Sequence, residues 1–318
     1  MVEPILVAHR LSKHYGSFQA VRELTLTIER GEIFGLLGPN GAGKTTAILM
    51  FLGMTEPTSG DVTVVGYDPV RFPLEVKRRV GYLPDNVGFY EEMSGWENLL
   101  YTAALNAIPH AEAEKRAGDL LERMGLAAVA HKKAGTYSRG MRQRLGLADI
   151  LMKQPDMVIL DEPTLGIDPE GVRELLAMIR SFSREQGMTV LLSSHHLHQV
   201  QEICDRVGIF YQGKLVASGP ISQLSAEIME SDEQRLELAA EPFSDELRRE
   251  LTQLQGVLSL EQKGQVWLLR TQGDIRQEVA RLLHRHGAFV THFYQPGYGL
   301  DEIYRRYFEG GETIHVAR

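Results

Sequence analysis

Between Leu36 and Thr46 the chain reads LLGPNGAGKTT, and these residue types suit one task, holding a polyanion. Gly38, Gly41 and Gly43 let the backbone turn sharply and bring its N–H groups close to a ligand. The apolar spacing from Thr45 onward predicts a helix, whose N-terminal dipole favours negative charge. Lys44 adds a full positive charge and the Thr45 hydroxyl suits a magnesium ion, so Gly38-x-x-x-x-Gly43-Lys44-Thr45 matches the phosphate-cradling pattern at every defined position. Asn40, Ala42 and Thr46 complete the stretch of candidate phosphate contacts.

Two further clusters carry chemistry. The apolar run MVIL ends in adjacent carboxylates, Asp161 and Glu162, which a buried strand would deliver to the carboxyl edge of a sheet, where ligands bind in open α/β folds. Asp161 suits magnesium, and Glu162 suits orienting or deprotonating a water for attack on a terminal phosphate. The next apolar run ends in SSHHLH, with His195, His196 and His198. Their spacing would permit a metal, but no carboxylate or cysteine ligands cluster nearby in sequence. A polar contact from His195 to the terminal phosphate or its attacking water fits better.

The surrounding pattern supplies elements to position these groups. Residues 5–37 are β-rich, short strands are predicted around DVTVVG and RVGYLP, and residues 95–152 carry apolar positions at three- and four-residue steps. DMVILDEP and GMTVLLSSH read as strands buried on both faces, as in a parallel sheet. Past Gly219 and Pro220 the order becomes β-α-β-β-α-β plus a last helix from Leu300 to Phe308, the pattern of a ferredoxin-like module. The expected fold is an α/β P-loop NTPase core, residues 1–222, with an antiparallel β subdomain and a helical insertion at about 86–153. A small α+β domain at 226–318 follows, with an accessory or regulatory role.

Composition bounds the function. With 34 basic and 42 acidic residues the net charge of the 318-residue chain is −8, which gives no electrostatic footprint for sequence-independent nucleic-acid binding. The single cysteine, Cys204, excludes an internal disulfide and is expected as a small buried apolar group in a reducing compartment. The opening MVEPILVAHR has neither a basic leader nor a long apolar stretch, which predicts no signal peptide, and no run is long enough for a spanning helix.

The order of these motifs resembles the nucleotide-binding subunits of ABC transporters over about residues 3–222. GPNGAGKTT matches that family's phosphate loop, YSRGMRQRLGLA its signature, LDEPTLGIDP its acidic strand and dimer-contact loop, and SSHHL its switch histidine at His195. The resemblance implies ATP and Mg2+ as ligands and Tyr15 stacked on adenine. It also implies that Ser138 and Gly140 contact the terminal phosphate of ATP held by a second copy or a homologous ATPase subunit, and that Asp168 helps join the two sites. It further implies an integral membrane permease as partner, no nucleic acid, and a place on the cytoplasmic face of the membrane. The aromatic stretch NVGFYEEMSGWENLLYTAA reads equally as a surface for such a permease or as the core of the helical insertion.

The chain departs from the family pattern in two places. The signature carries Tyr137, Arg139 and Met141 in place of the usual leucine, glycine and glutamine, and Asp85 stands where glutamine is usual. Asp85 can still bind magnesium or water, but as a pure acceptor. The form YSxGM and the closing GLDEIYRRYFEG resemble exporter-type members, and YLPDNVGFY resembles the ATPases of nitrous oxide reductase maturation transporters. An alternative class, ABC ATPases acting on nucleic acid or the ribosome, carries two cassettes or a long coiled-coil insertion, and this sequence has neither. A binding module without turnover is disfavoured by Glu162 and His195.

Overall fold

The structure is a computed structural model and describes residues 3–224, 233–264 and 266–295. The chain divides into two compact units, Met1–Ile221 and Ser222–Arg318.

In the first unit, β1 (Pro4–Tyr15) and β2 (Phe18–Glu29) form a hairpin that β4 (Ser59–Val64) extends into an antiparallel sheet of order β2-β1-β4. In β2 the alternation Leu24, Leu26, Ile28 turns one face into the core while Thr25 and Thr27 point away from it. A second sheet runs β5-β6-β7-β3-β8-β9, built from β3 (Ile33–Leu37), β5 (Val80–Leu83), β6 (Met157–Asp161), β7 (Thr189–Ser194), β8 (Arg206–Tyr211) and β9 (Lys214–Pro220). Its pairs are parallel from β5 to β8, and only β8–β9 is an antiparallel hairpin. Every residue of β3, β6 and β7 is buried, which explains their apolar runs, IFGLL, MVIL and VLL.

The helices follow from local signals. The helix α1 (Lys44–Phe51) starts at the end of the glycine-rich loop, and α2 (Pro73–Arg79) opens with proline at its first position. Between β5 and β6 lie α3 (Gly95–Leu105), α4 (His110–Arg123) and α5 (Arg139–Leu151). Ser94 and Glu97 close a capping box that fixes the start of α3. Glu97 N–H donates to Ser94 Oγ at 3.2 Å, and Ser94 N–H to Glu97 Oε2 at 2.7 Å. On this segment Tyr90 and Tyr101 are exposed, their rings edge to face at 5.0 Å. Two helices complete the unit, α6 (Pro169–Gln186) and α7 (Leu197–Ile203). Cys204 follows α7; the residue as a whole is partly exposed, while its Sγ packs against Gly35 of β3, 3.0 Å from where a Cβ would lie there, as expected for a buried side chain. Burial first, then the negative charges of Asp205 and Glu32, push its thiol pKa up, which favours the protonated thiol.

The second unit holds β10 (Glu233–Glu241), α8 (Asp245–Gln253), β11 (Val257–Lys263), β12 (Val266–Gln272), α9 (Arg276–Arg285) and β13 (Phe289–Tyr294). Its sheet order is β11-β12-β10-β13 with every pair antiparallel. Leu236, Leu238 and Leu269 from the sheet meet Leu247, Val279 and Leu283 from the helices in one core, and Phe243 stacks on Trp267 at 4.5 Å. The helix expected at Leu300–Phe308 lies outside the described residues. Leu269 is fully buried, so Leu269→Ala is expected to lower the stability of this unit by about 2–5 kcal/mol. Urea denaturation followed by Trp267 fluorescence in a Trp96→Phe background measures it.

Candidate functional site

The glycine-rich loop leaves the carboxyl end of β3 and enters α1. Gly41 and Gly43 have φ of +78° and +107°, a region that L side chains rarely occupy. A Cβ on Gly43 would lie 2.2 Å from the Ala20 carbonyl oxygen, and one on Gly38 would lie 2.2 Å from that of Phe210. Side chains are therefore excluded at both positions. The loop borders an open pocket of about 460 Å³ lined by residues 40–46, by Asp85, Asp161 and Glu162, and by His195.

Lys44 is 5 % exposed. Its ammonium donates to the carbonyl oxygens of Gly38 (2.7 Å) and Pro39 (3.2 Å) and lies 3.2 Å from Glu162 Oε1. That last contact is an ion pair by distance without hydrogen-bond alignment, which leaves Oε1 buried with no hydrogen bond. The other carboxylate oxygen, Oε2, is 2.8 Å from His195 Nδ1. Glu162 is thus clasped between a buried cation and an imidazole.

Glu162 sits just past β6 with φ of +50°. A non-glycine residue held there costs of order 1–3 kcal/mol. Its N–H is fixed by β7, donating to the carbonyl oxygen (3.2 Å) and Oγ (3.1 Å) of Ser193. The same Ser193 hydroxyl donates to Asp161 Oδ1, so one serine fixes both acids. Asp161 is 4 % exposed. Tyr82 on β5 has its phenol pKa pushed up to about 12, by burial first and then by the negative charges of Asp161 and Asp85. It therefore stays protonated and cannot serve as a base. His196 packs its ring 3.9 Å from that of His195, and its pKa is lowered by burial first and by His195 next, with Glu162 opposing.

Of the remaining expected site residues, Tyr15, Ser138, Gly140 and Asp168 fall outside this pocket. Tyr15 pairs with Phe18 across the tip of the β1–β2 hairpin, but Phe18 and not Tyr15 lines the pocket. Lys13 Nζ sits 5.1 Å from the Tyr15 ring centroid. Ser138 caps α5, accepting from Met141 N–H at 3.2 Å, and Asp168 caps α6, accepting from Gly171 N–H at 3.2 Å. Neither of these residues nor Gly140 lines the pocket. Asp85 does line it, yet its carboxylate accepts from Arg139 Nη2 at 3.1 Å. Ser193, Phe18 and Arg139 were not identified from sequence as parts of the site. Ser193 stands out only once the two strands are paired.

The arrangement combines a backbone anion cradle, one buried cation, oxygen donors for a hard divalent ion, and a carboxylate positioned beside a histidine. That set fits nucleoside triphosphate binding with attack by water on the terminal phosphate.

Comparison with known proteins gives the same class. The sequence profile of the family described as ABC transporter matches residues 21–165. The linearmycin resistance ATP-binding protein LnrL of Bacillus subtilis is 38 % identical over 224 residues, covering 70 % of this chain and 72 % of that protein. The bacitracin transport ATP-binding protein BcrA of Enterococcus faecalis is 32 % identical over 98 % of both chains. Among solved structures, cbiO1 from Clostridium perfringens, part of the ABC transporter complex cbiONQ, superposes with a TM-score of 0.65 at 28 % identity, covering 71 % of this chain and 92 % of that one.

Replacing the buried cation tests the cradle. Lys44→Ala removes a charged donor to phosphate and should weaken ATP binding by about ten- to a hundredfold. Titration with a fluorescent ATP analogue reads it, and unchanged affinity would count against Lys44 as a phosphate contact.

Proposed function

Because this chain belongs to the ABC transporter family, as an ATP-binding subunit whose ATPase activity is coupled to transport, we propose that Glu162 is its general base. The observation that carries this reading is the position of the Glu162 carboxylate between Lys44 Nζ and His195 Nδ1, at the sheet edge that faces the phosphate loop. A triphosphate in the loop gives the Lys44 ammonium a stronger partner than Glu162. Oε1 is then free to accept a proton from an attacking water, while His195 keeps Oε2 in place.

The Thr45 hydroxyl and the Asp161 and Asp85 carboxylates are hard oxygen donors that line the same pocket. This donor set suits Mg2+. When bound, Mg2+ neutralises charge on the phosphates. Ser193 holds Asp161 oriented for it, and Phe18 or Tyr15 at the hairpin tip supplies a face for adenine.

Each nucleotide site is completed by a second copy or a homologous subunit, whose Ser138 and Gly140 at the free N-terminus of α5 face the terminal phosphate. Asp168 lies in the adjoining loop. The membrane partner is an integral permease, meeting the helical segment where Tyr90, Tyr101 and Leu105 are exposed, which sets the subunit on the cytoplasmic face. Among the described residues no helix is long and apolar enough to cross a membrane. An exporter-type assignment draws support from relatives named for linearmycin resistance and bacitracin transport. The narrower likeness to nitrous oxide reductase maturation ATPases rests on YLPDNVGFY. The strand order β11-β12-β10-β13 supports reading the second unit as a ferredoxin-like accessory domain.

Glu162→Gln should keep ATP affinity and lower turnover by about 10²- to 10⁴-fold. A phosphate-release assay beside a binding titration separates the two, and near-parental turnover would remove Glu162 from this role. The same variant with ATP should form a dimer that ADP dissolves, and adding Ser138→Arg should abolish it. Light scattering that gave one mass with and without ATP would overturn the shared site.

A further inference from the structure

The two departures from the family pattern meet in space. Asp85, two residues past β5, and Arg139, the first residue of α5, are 54 positions apart, and their side chains form an ion pair at 3.1 Å. Both side chains are half exposed, at 50 % each. A second tie runs beside the first, because Gln143, one turn further along α5 and 2 % exposed, donates to the Asp85 backbone carbonyl at 3.3 Å. The neighbouring cation, Arg142, is occupied elsewhere, donating to the Gly135 carbonyl at 3.1 Å and lying 3.8 Å from Glu91.

Arg139 also leans on the loop that carries Asp168. A Cβ on Gly166, itself at φ +71°, would lie 3.0 Å from Arg139 Cδ and Nε. The stem of Arg139 therefore covers Gly166 while its guanidinium holds Asp85. Asp85 at the same time lines the nucleotide pocket with Thr45 and Asp161. Its carboxylate thus pairs with the Arg139 guanidinium while the residue borders the same pocket as the oxygen donors Thr45 and Asp161.

We propose that Arg139 is a positioning residue that competes with nucleotide-bound Mg2+ for the Asp85 carboxylate. With the pocket empty, the pair fastens the loop after β5 to the turn bearing Ser138 and Gly140. When Mg2+–ATP enters, Asp85 turns to the pocket and Arg139 is released, which unfastens the Ser138 turn as the partner's nucleotide must be met. The usual glutamine and glycine at these two positions could not form such a pair, since neither carries a charge. This inference rests on the reading of the pocket as a Mg2+–ATP site.

The experiment measures equilibrium binding of a fluorescent ATP analogue, with Mg2+ and with EDTA, to the parent, Arg139→Gln, Arg139→Lys, Asp85→Asn and the double variant Asp85→Asn with Arg139→Gln. An exposed ion pair broken on binding holds affinity down by about two- to fivefold. Arg139→Gln should therefore bind tighter by that factor with Mg2+ and unchanged in EDTA, and Arg139→Lys should stay near the parent. In the Asp85→Asn background the Arg139→Gln gain should vanish. An unchanged or weaker affinity of Arg139→Gln with Mg2+, or a gain that persists without Asp85, overturns the competition. A parent that binds the analogue equally with and without Mg2+ overturns instead the Mg2+–ATP reading on which it rests.

Discussion

Parallel register among three strands is the constraint on which the site depends. Leu37 of β3 pairs with Ser194 of β7, and Asp161 of β6 pairs with Ser193. The three strands therefore end within one residue of the same level. The residue that follows each end is Gly38, Glu162 or His195, so a glycine loop, a carboxylate and an imidazole from separate parts of the chain emerge side by side. A shift of one residue in the β6–β7 pairing would turn Ser193 away from Asp161 and Glu162, because successive side chains point to opposite faces.

Within that frame the chemistry is governed by charge burial. Lys44 is nearly inaccessible, and an ammonium in that setting needs carbonyl and carboxylate partners to offset its lost hydration. Two loop carbonyls and Glu162 supply them. The same pairing holds the Glu162 carboxylate beside Lys44 in the pocket. Ser193 completes this arrangement by stabilising a strained backbone at Glu162 and orienting Asp161 through one hydroxyl.

Two hydrogen bonds from α5 reach Asp85 at the nucleotide pocket. Exposed pairs are weak and respond to competing charge, whereas the buried strands of the central sheet do not rearrange without large cost. The proposed competition for Asp85 therefore acts on the loop after β5 and the start of α5, and not on the buried strands that hold Glu162 and His195.

Much of this was legible in the residues. The phosphate loop, the acid pair and the histidine were readable because each sits at the end of an unbroken apolar run, and the three helices between β5 and β6 because their apolar positions recur at helical spacing. The β-α-β-β-α-β order of the second unit was readable for the same reason. Local pattern carries no information about which strand lies beside which, so the sheet order β5-β6-β7-β3-β8-β9 was decided only by tertiary packing. So were the residues whose roles come from that packing. Ser193 reads as an ordinary strand serine until β6 lies against β7, Phe18 as a hairpin residue until the pocket forms beneath it, and Arg139 as a signature variant until Asp85 is brought within 3.1 Å. Sequence shows what a side chain is able to do, and the pairing of distant segments selects the partner, because hydrogen bonds and ion pairs act over a few ångströms in space whatever the separation along the chain.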